Sequence, residues 1–147
     1  MDVPMTDTLT VAQRSRRMSL VRGKHTKPEL LVRRLVHSMG FRYSLHRDDL
    51  PGCPDLVFTR LQKVIFVHGC FWHRHPSSRC RLARLPKSRL DFWRPKLESN
   101  RIRDEKIKRA LRSLGWKIMV VWECQLSHKE QLQNKIRRFL ENKNARR

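Results

Sequence analysis

The stretch VIFVHGCFWHRH, at residues 64–75, decides how the rest of this chain is arranged. It opens with four apolar residues, β-branched ones among them, which is typical of a short buried strand. The strand is predicted to break at Gly69, and around that break lie three histidines, one cysteine and two large aromatic residues. A strand that ends in ligand side chains is a rigid support for a site.

The strand before this stretch is predicted to pair with it. Residues 55–58 and 63–67 both have strand character and are joined by the tight connection 60–62, so we expect a hairpin. The start of one hairpin strand lies beside the end of the other. This places Asp55 beside Val67 and His68, and therefore a carboxylate next to the histidines.

The first helix is predicted over residues 26–39. Thr26 and Glu29 form a Thr-x-x-Glu capping box, and Gly40 ends the helix. Two roles are open for Glu29, one in capping the helix and one near the active site. The capping-box spacing favours the first. The expected buried stripe consists of Leu30, Leu31, Leu35 and Met39.

Two more helices follow. Residues 91–114 form a long helix with Pro95 in its first turn and Gly115 as its stop, and Ser127-x-x-Glu130 is a second capping box. The inner face of the long helix is predicted to hold Ile107, Ala110, Leu111 and Leu114. That of the C-terminal helix is predicted to hold Leu132, Ile136, Phe139 and Leu140.

Strands are also predicted at residues 41–46 and 116–122, which gives the order α-β-β-β-α-β-α. We therefore expect an α/β fold with a mixed central sheet flanked by helices. One domain spans residues 1–147, with a basic N-terminal arm at 1–24 and a flexible tail at 142–147.

The charge points to a polyanionic partner. Lys and Arg number 34 against 13 Asp and Glu, a net charge of +21. Nucleic acid is the first candidate and an anionic membrane surface the second. The N-terminal residues lack the apolar segment of a secretory signal, and no apolar run is long enough to span a bilayer, so we expect a cytoplasmic protein.

The cysteines indicate a metal more than disulfides, which stay the alternative. If the strands that precede Cys70 and Cys124 are parallel neighbours, both thiols lie at one edge of the sheet. A closed tetrahedral zinc site would then comprise Cys70, His75, Cys80 and Cys124. Cys53 lies outside this set and is predicted to be a free thiol.

His68 and His73 are then left for chemistry. Asp55 supplies a hard oxygen ligand suited to Mg²⁺. Together with the two histidines and a basic groove, it indicates metal-assisted phosphodiester hydrolysis. A single histidine is more often structural, but the cluster favours catalysis. Phe71 and Trp72 are adjacent, so they cannot both point inward from a regular strand. Either one of them packs in the core, or the two project as a wedge between base pairs.

The chain resembles the very-short-patch repair (Vsr) DNA mismatch endonucleases over residues 14–126. The motifs occur in the family's order, and HGCFWH is highly specific. They are Met18-x10-Glu29, LHRDDLPGCPDLVF, VIFVHGCFWHRH with Cys80, DFWRPKLESNRIRD and LGWKIMVVWEC. The resemblance implies a fold related to the PD-D/E-x-K restriction endonucleases. It also implies magnesium-dependent DNA repair, in which one strand is nicked 5′ to the thymine of a T:G mismatch left by deamination of 5-methylcytosine.

The resemblance also implies roles for single residues. Asp55 corresponds to the magnesium-binding carboxylate and His73 to the general base or water-positioning histidine. His68 corresponds to the histidine near the scissile phosphate, and Glu29 to an assisting residue. The second half of the nuclease motif is missing, so a backbone carbonyl at Val67 can serve the metal instead. Structural zinc ligands correspond to Cys70, His75, Cys80 and Cys124, and intercalating side chains to Met18, Phe71 and Trp72.

Two positions depart from the family pattern. Val67 stands where some members carry threonine, so a side-chain role there is absent, and the gap between His75 and Cys80 is longer than in the tightest pattern. We expect a monomeric, nucleoid-associated bacterial enzyme acting on double-stranded DNA, without membrane contact; other repair proteins as partners stay open. The alternatives are a related nuclease with another DNA target and a zinc-stabilised nucleic-acid-binding protein without cleavage.

Overall fold

The computed structural model describes residues 26–77, 79–85 and 88–142. Its helices and strands follow the predicted order α-β-β-β-α-β-α. Short 3₁₀ turns lie at Thr59–Leu61, Arg81–Ala83 and Glu123–Ser127. The elements are α1 (Lys27–Ser38), β1 (Ser44–Leu45), β2 (Leu56–Phe58), β3 (Lys63–His68), α2 (Leu90–Ser113), β4 (Lys117–Trp122) and α3 (Lys129–Glu141).

The four strands form one mixed sheet in the order β1-β2-β3-β4. β2 pairs antiparallel with both β1 and β3, which confirms the hairpin. β3 and β4 are parallel neighbours joined through α2, with His68 opposite Trp122 at their carboxyl ends. The mixed α/β fold is thus confirmed, and the residues that follow β3 and β4 meet at one edge of the sheet.

Helices cover both faces of the sheet. Ile65 and Val121 point to one face, where they pack in a core with the buried side chains of α1 and α3. Val64 and Phe66 point to the opposite face, where they pack with Leu111 of α2. This alternation along β3 is the period of a strand buried on both sides.

The phase of the first helix differs from the prediction. Its N-cap is correct, since the Thr26 hydroxyl accepts a hydrogen bond from the Glu29 N–H. The buried residues, however, are Glu29, Val32 and Val36, whereas Leu30 is 38% exposed. Leu35 and Met39 are partly buried and pack against the core as predicted, so the predicted stripe overlaps the edge of the inner face, whose centre is Val32 and Val36.

The long helix also differs in detail. α2 begins at Leu90, so Pro95 lies in its second turn and not in its first. Leu111 is buried as predicted and Ile107 packs beside it, but Leu114 is 56% exposed. The remaining buried positions of α2 are Leu97 and Asn100.

The second predicted capping box is wrong. α3 begins after His128, and the Ser127 hydroxyl donates to the Cys124 carbonyl at 2.9 Å instead of capping the helix. Ser127 is the last residue of the 3₁₀ turn that follows β4, so it is not available as the N-cap of α3. The inner face of α3 is nevertheless correct: Leu132, Ile136 and Leu140 are buried and Phe139 packs against them.

The predicted strands at 41–46 and 116–122 are shorter in the structure. The first reduces to Ser44–Leu45, and the second, Lys117–Trp122, is half-buried along most of its length. In the part of the chain that the structure describes, no helix has the length and apolar character to cross a membrane. The predicted arm at 1–24, which contains Met18, and residues 143–147 of the tail lie outside the described residues.

Candidate active site and metal-ligand clusters

Asp55 lies where the hairpin predicts it. Its Oδ2 accepts a hydrogen bond from the Val67 N–H at 2.7 Å, across from the end of β3. Burial raises the pKa of Asp55 to about 7, an increase that the Val67 hydrogen bond opposes and the negative charge of Glu29 reinforces. The side chain is still 20% exposed, so a solute can reach the carboxylate.

A second carboxylate and an imidazole join Asp55. Glu29, from the first turn of α1, is only 2% exposed. His46, directly after β1, places its Nε2 2.7 Å from Glu29 Oε2 and 3.5 Å from Asp55 Oδ1. Arg33 pairs with the same Glu29 carboxylate. Glu29 is therefore part of the site as well as the residue that the Thr26 cap engages.

Sequence reasoning missed His46. It was assigned to the end of a strand, whereas the structure gives it a left-handed backbone with φ of +45°. No periodicity or spacing marks such a residue as a site residue. Its place beside Asp55 follows from the pairing of Leu45 with Leu56, which only the sheet register reveals.

His73 and Asp104 form a hydrogen-bonded pair. His73 Nδ1 lies 2.6 Å from Asp104 Oδ2, which leaves Nε2 as the second nitrogen of the ring. A carboxylate at Nδ1 fixes the orientation and tautomer of an imidazole. Asp104 was also missed as a site residue, although it ends the quoted stretch DFWRPKLESNRIRD.

His68 stacks on His73 with ring centroids 3.9 Å apart. Burial, together with the charge of His73, lowers the pKa of His68 to about 3, so this imidazole is neutral at physiological pH. Its Nδ1 is buried without a hydrogen-bond partner among the described residues. The structure thus brings the two histidines together, one oriented by a carboxylate and one kept neutral.

The turn after β3 carries these groups. The His73 N–H donates to the Gly69 carbonyl at 3.1 Å, and the His75 N–H to the Cys70 carbonyl at 3.0 Å. From α2, the buried Asn100 side chain donates to the Trp72 carbonyl at 3.1 Å. Asn100 thereby ties the turn to the helix that also carries Asp104.

Phe71 and Trp72 lie on this turn and are half-buried, so neither is a core residue. Both pack edge-on against Trp93 of α2, at centroid distances of 5.3 and 5.9 Å. The cluster also contacts Phe92, which is 46% exposed. Sequence reasoning did not single out Trp93, because an aromatic residue in a helix is usually read as packing.

The sulfur ligands gather on the other side of the turn. The ligand atoms of Cys70, His75, Cys80 and Cys124 all lie within 4.8 Å of one another. Cys70 is fully buried, and burial raises the pKa of its thiol to about 12. The four cysteines are free thiols, and Cys53 lies outside the cluster.

Exposed basic side chains line α2 next to the catalytic candidates. They project from the same helix as Asp104 and Asn100. Cations in this position fit a phosphate backbone. The exposed residues are Arg94, Arg101, Arg103, Lys106, Arg109 and Arg112.

The chain is similar in sequence to several known proteins. A family model described as DNA mismatch endonuclease Vsr matches residues 6–79. The Type II nicking enzyme V.XorIIP of Xanthomonas oryzae pv. oryzae is 51% identical over 93% of this chain and 98% of its own length. The Type II nicking enzyme V.NmeAIP of Neisseria meningitidis is 40% identical over 92% and 95% of the two chains. DNA mismatch endonuclease Vsr of Escherichia coli is 37% identical over 87% and 80%.

Proposed function

The chain belongs to the Vsr family of DNA mismatch endonucleases, and on that premise we propose that it nicks one strand of double-stranded DNA 5′ to the thymine of a T:G mismatch, with Mg²⁺ as cofactor. The observation that carries the proposal is the partly buried pair of His73 and Asp104 near the Asp55 carboxylate, whose pKa the charge of His73 lowers against the effect of burial. The fold is, in this proposal, related to that of the PD-D/E-x-K nucleases.

The donor atoms at Asp55 suit the cofactor. A carboxylate oxygen and a backbone carbonyl oxygen are hard ligands of the kind Mg²⁺ prefers, so Asp55 and the carbonyl of Val67 would hold it. A divalent cation at this place supplies Lewis-acid stabilisation of the charge on the scissile phosphate. Glu29 assists by fixing His46 and Arg33 beside Asp55.

The histidines supply the proton chemistry. Asp104 accepts the Nδ1–H of His73, so Nε2 carries the lone pair that takes a proton from the attacking water. His68, held neutral by burial, lies against His73 and near the scissile phosphate in this proposal. The Asp104 carboxylate, in contact with Nδ1, stabilises His73 when it is protonated.

We assign a structural zinc ion to Cys70, His75, Cys80 and Cys124. Three thiols and one imidazole are a donor set typical of closed tetrahedral zinc sites. Burial raises the pKa of the Cys70 thiol, so ligation of Zn²⁺ would release its proton. The ion would hold the loop of residues 75–80 against the end of β4.

Recognition of the mismatch is assigned to the aromatic cluster. Phe71, Trp72 and Met18 would insert beside the mismatched pair, at a cost of about a few kcal/mol per unstacked step. Trp93 supports the first two from α2. A mismatched step is less well stacked than a matched one, so the wedge favours it. We also propose that the enzyme acts as a monomer at the bacterial nucleoid.

A nicking assay tests the function. Duplexes with one T:G mismatch and matched T:A controls are incubated with Mg²⁺ or with chelator, using the natural protein and Asp55→Asn. We expect magnesium-dependent nicking of the T:G duplex alone, at least about 1,000-fold slower in the variant. A cooperative thermal unfolding transition at a temperature no lower than that of the natural protein excludes misfolding as the cause.

Two other outcomes favour the alternatives. Cleavage of both duplexes would indicate a related nuclease with a different DNA target. This is the second candidate because several relatives are named Type II nicking enzymes. Tight binding without cleavage in any divalent metal would indicate a zinc-stabilised DNA-binding protein, and the pair His73–Asp104 would then lack a function.

A further inference from the structure

We propose that His46 is a direct ligand of the active-site cation, so that Asp55, Glu29 and His46 form a mixed nitrogen–oxygen site that binds Mn²⁺ or Co²⁺ more tightly than Mg²⁺. The inference rests on the proposed function in placing a divalent cation at Asp55. It goes beyond that function because it adds a nitrogen ligand and thereby sets the metal preference of the enzyme.

The distances between the three groups fit a shared cation. In octahedral coordination with bonds of about 2.1 Å, adjacent ligand atoms are about 3 Å apart. His46 Nε2 lies 2.7 Å from Glu29 Oε2 and 3.5 Å from Asp55 Oδ1, on either side of that value. All three ligand atoms lie within 4.8 Å of one another. Small side-chain adjustments therefore bring one ion into contact with all of them.

The fold holds the three groups from three separate elements. Glu29 comes from the first turn of α1, His46 follows β1, and Asp55 precedes β2. The His46 side chain is 7% exposed and that of Glu29 is 2% exposed, so neither is a solvated surface group. A left-handed backbone at His46 costs free energy in a non-glycine residue, which neighbouring structure must offset.

The chemistry of imidazole predicts the selectivity. Mg²⁺ prefers oxygen ligands, whereas Mn²⁺ and Co²⁺ accept imidazole nitrogen readily, with affinity rising along the series from Mn²⁺ to Co²⁺. A site of two carboxylates alone would discriminate little between Mg²⁺ and Mn²⁺. An added imidazole shifts the balance toward the transition metals.

The competing role for His46 is that of a positioning residue, which donates a hydrogen bond to Glu29 and never touches the cation. Pulsed electron paramagnetic resonance of bound Mn²⁺ separates the two roles, because a directly ligated imidazole produces strong ¹⁴N modulation. The protein is first given one equivalent of Zn²⁺, so that the thiolate cluster does not compete for the probe. The variants are His46→Gln, which keeps an oxygen donor, and the control His37→Gln, which removes an exposed imidazole from α1.

We expect ¹⁴N modulation in the natural protein and in His37→Gln, and its loss in His46→Gln. Titrations should show Mn²⁺ affinity at least about tenfold lower in His46→Gln, with Mg²⁺ affinity within about threefold of the natural protein. Modulation that is absent from the natural protein, or that persists in His46→Gln, overturns the inference. Equal losses of Mn²⁺ and Mg²⁺ affinity without a change in modulation also overturn it.

Failure of this inference is distinguishable from failure of the proposed function. If Mn²⁺ binds at Asp55 without ¹⁴N modulation while T:G duplexes are nicked, only the role of His46 is wrong. If Mn²⁺ binds Asp55→Asn as tightly as the natural protein and no duplex is nicked, the assignment of Asp55 as metal ligand is wrong as well. Circular dichroism of each variant confirms that it is folded.

Discussion

Two ligand clusters lie on either side of one short turn, and they differ in donor chemistry and in access. The cluster at Cys70 offers three sulfur atoms and one nitrogen, and its central thiol is fully buried. The cluster at Asp55 offers two carboxylates and an imidazole, and the Asp55 side chain is 20% exposed. His68, one residue before Gly69, stands between them.

On the proposed assignments, this difference separates a structural metal site from a catalytic one. Four protein ligands complete the coordination of zinc and leave no position for a substrate. Three ligands around a larger or octahedral cation leave positions for water and phosphate. One strand end can support both because the turn at 69–74 reverses the chain, so that His73 returns toward α2 while Cys70 stays buried.

The largest effect that distinguishes the clusters is on folding. Replacing Cys124 with serine should lower the free energy of unfolding by several kcal/mol, because a closed zinc site contributes binding energy to the folded state alone. Chemical unfolding with and without chelator measures the loss. Cys53→Ser, outside the cluster, is the control and should change stability by less than about 1 kcal/mol. Chelator-insensitive stability in the natural protein would contradict the assignment.

The strand-based part of this arrangement could be predicted from the sequence. β-Branched runs, a tight connection and a glycine break place Asp55 beside Val67, and the helix between β3 and β4 makes those strands parallel. The hairpin and the parallel pairing both follow from the order of the strands and the lengths of their connections. They bring Cys70 and Cys124 to one edge because every parallel pair ends on the same side.

The missed parts depend on tertiary contacts that leave no local pattern. Glu29 is buried beside His46 and Arg33, which pair with its carboxylate, and hydrophobic periodicity does not indicate a buried charged residue. Asp104 resembles any polar residue of a basic helix until the turn brings His73 against it. Ser127 fits a capping box, but a 3₁₀ turn intervenes.

The second effect is on chemistry without folding. Asp104→Asn should lower kcat about 10- to 100-fold, because an amide cannot stabilise protonated His73 and can present the wrong tautomer. Single-turnover nicking of a T:G duplex measures it. Glu105→Gln, its neighbour on α2, is the matched control and should leave the rate within about twofold. Equal losses in both variants would show that the charge of α2, and not the dyad, is responsible.

The third effect is on pH dependence at the open cluster. Since burial raises the pKa of Asp55 to about 7, the carboxylate binds a proton in place of the cation below that pH. At subsaturating Mg²⁺, nicking should fall up to about tenfold per pH unit below 7. Higher Mg²⁺ should move the midpoint to lower pH, and a midpoint independent of Mg²⁺ would contradict the competition.

The raised pKa of Asp55 also makes the free energy of unfolding depend on pH. The raised pKa means that the metal-free folded protein keeps a proton that the unfolded chain releases, so the stabilising contribution is complete below about 3.8 and is lost as pH rises through about 7. Asp55→Asn should therefore be more stable than the natural metal-free protein at pH 8, and the advantage should shrink toward pH 4. Denaturant unfolding at both pH values measures the difference.

The smallest effect concerns the turn that separates the clusters. Asn100 donates to the Trp72 carbonyl and so holds the backbone of the turn that carries the proposed aromatic wedge. Asn100→Ala should reduce the preference for T:G over T:A duplexes about three- to tenfold, because loss of one buried hydrogen bond costs about 1 kcal/mol in positioning. Asn134→Ala, exposed on α3, is the control. If the rate falls equally on both duplexes, Asn100 supports the histidines and not the wedge, and the turn then acts on the catalytic side alone.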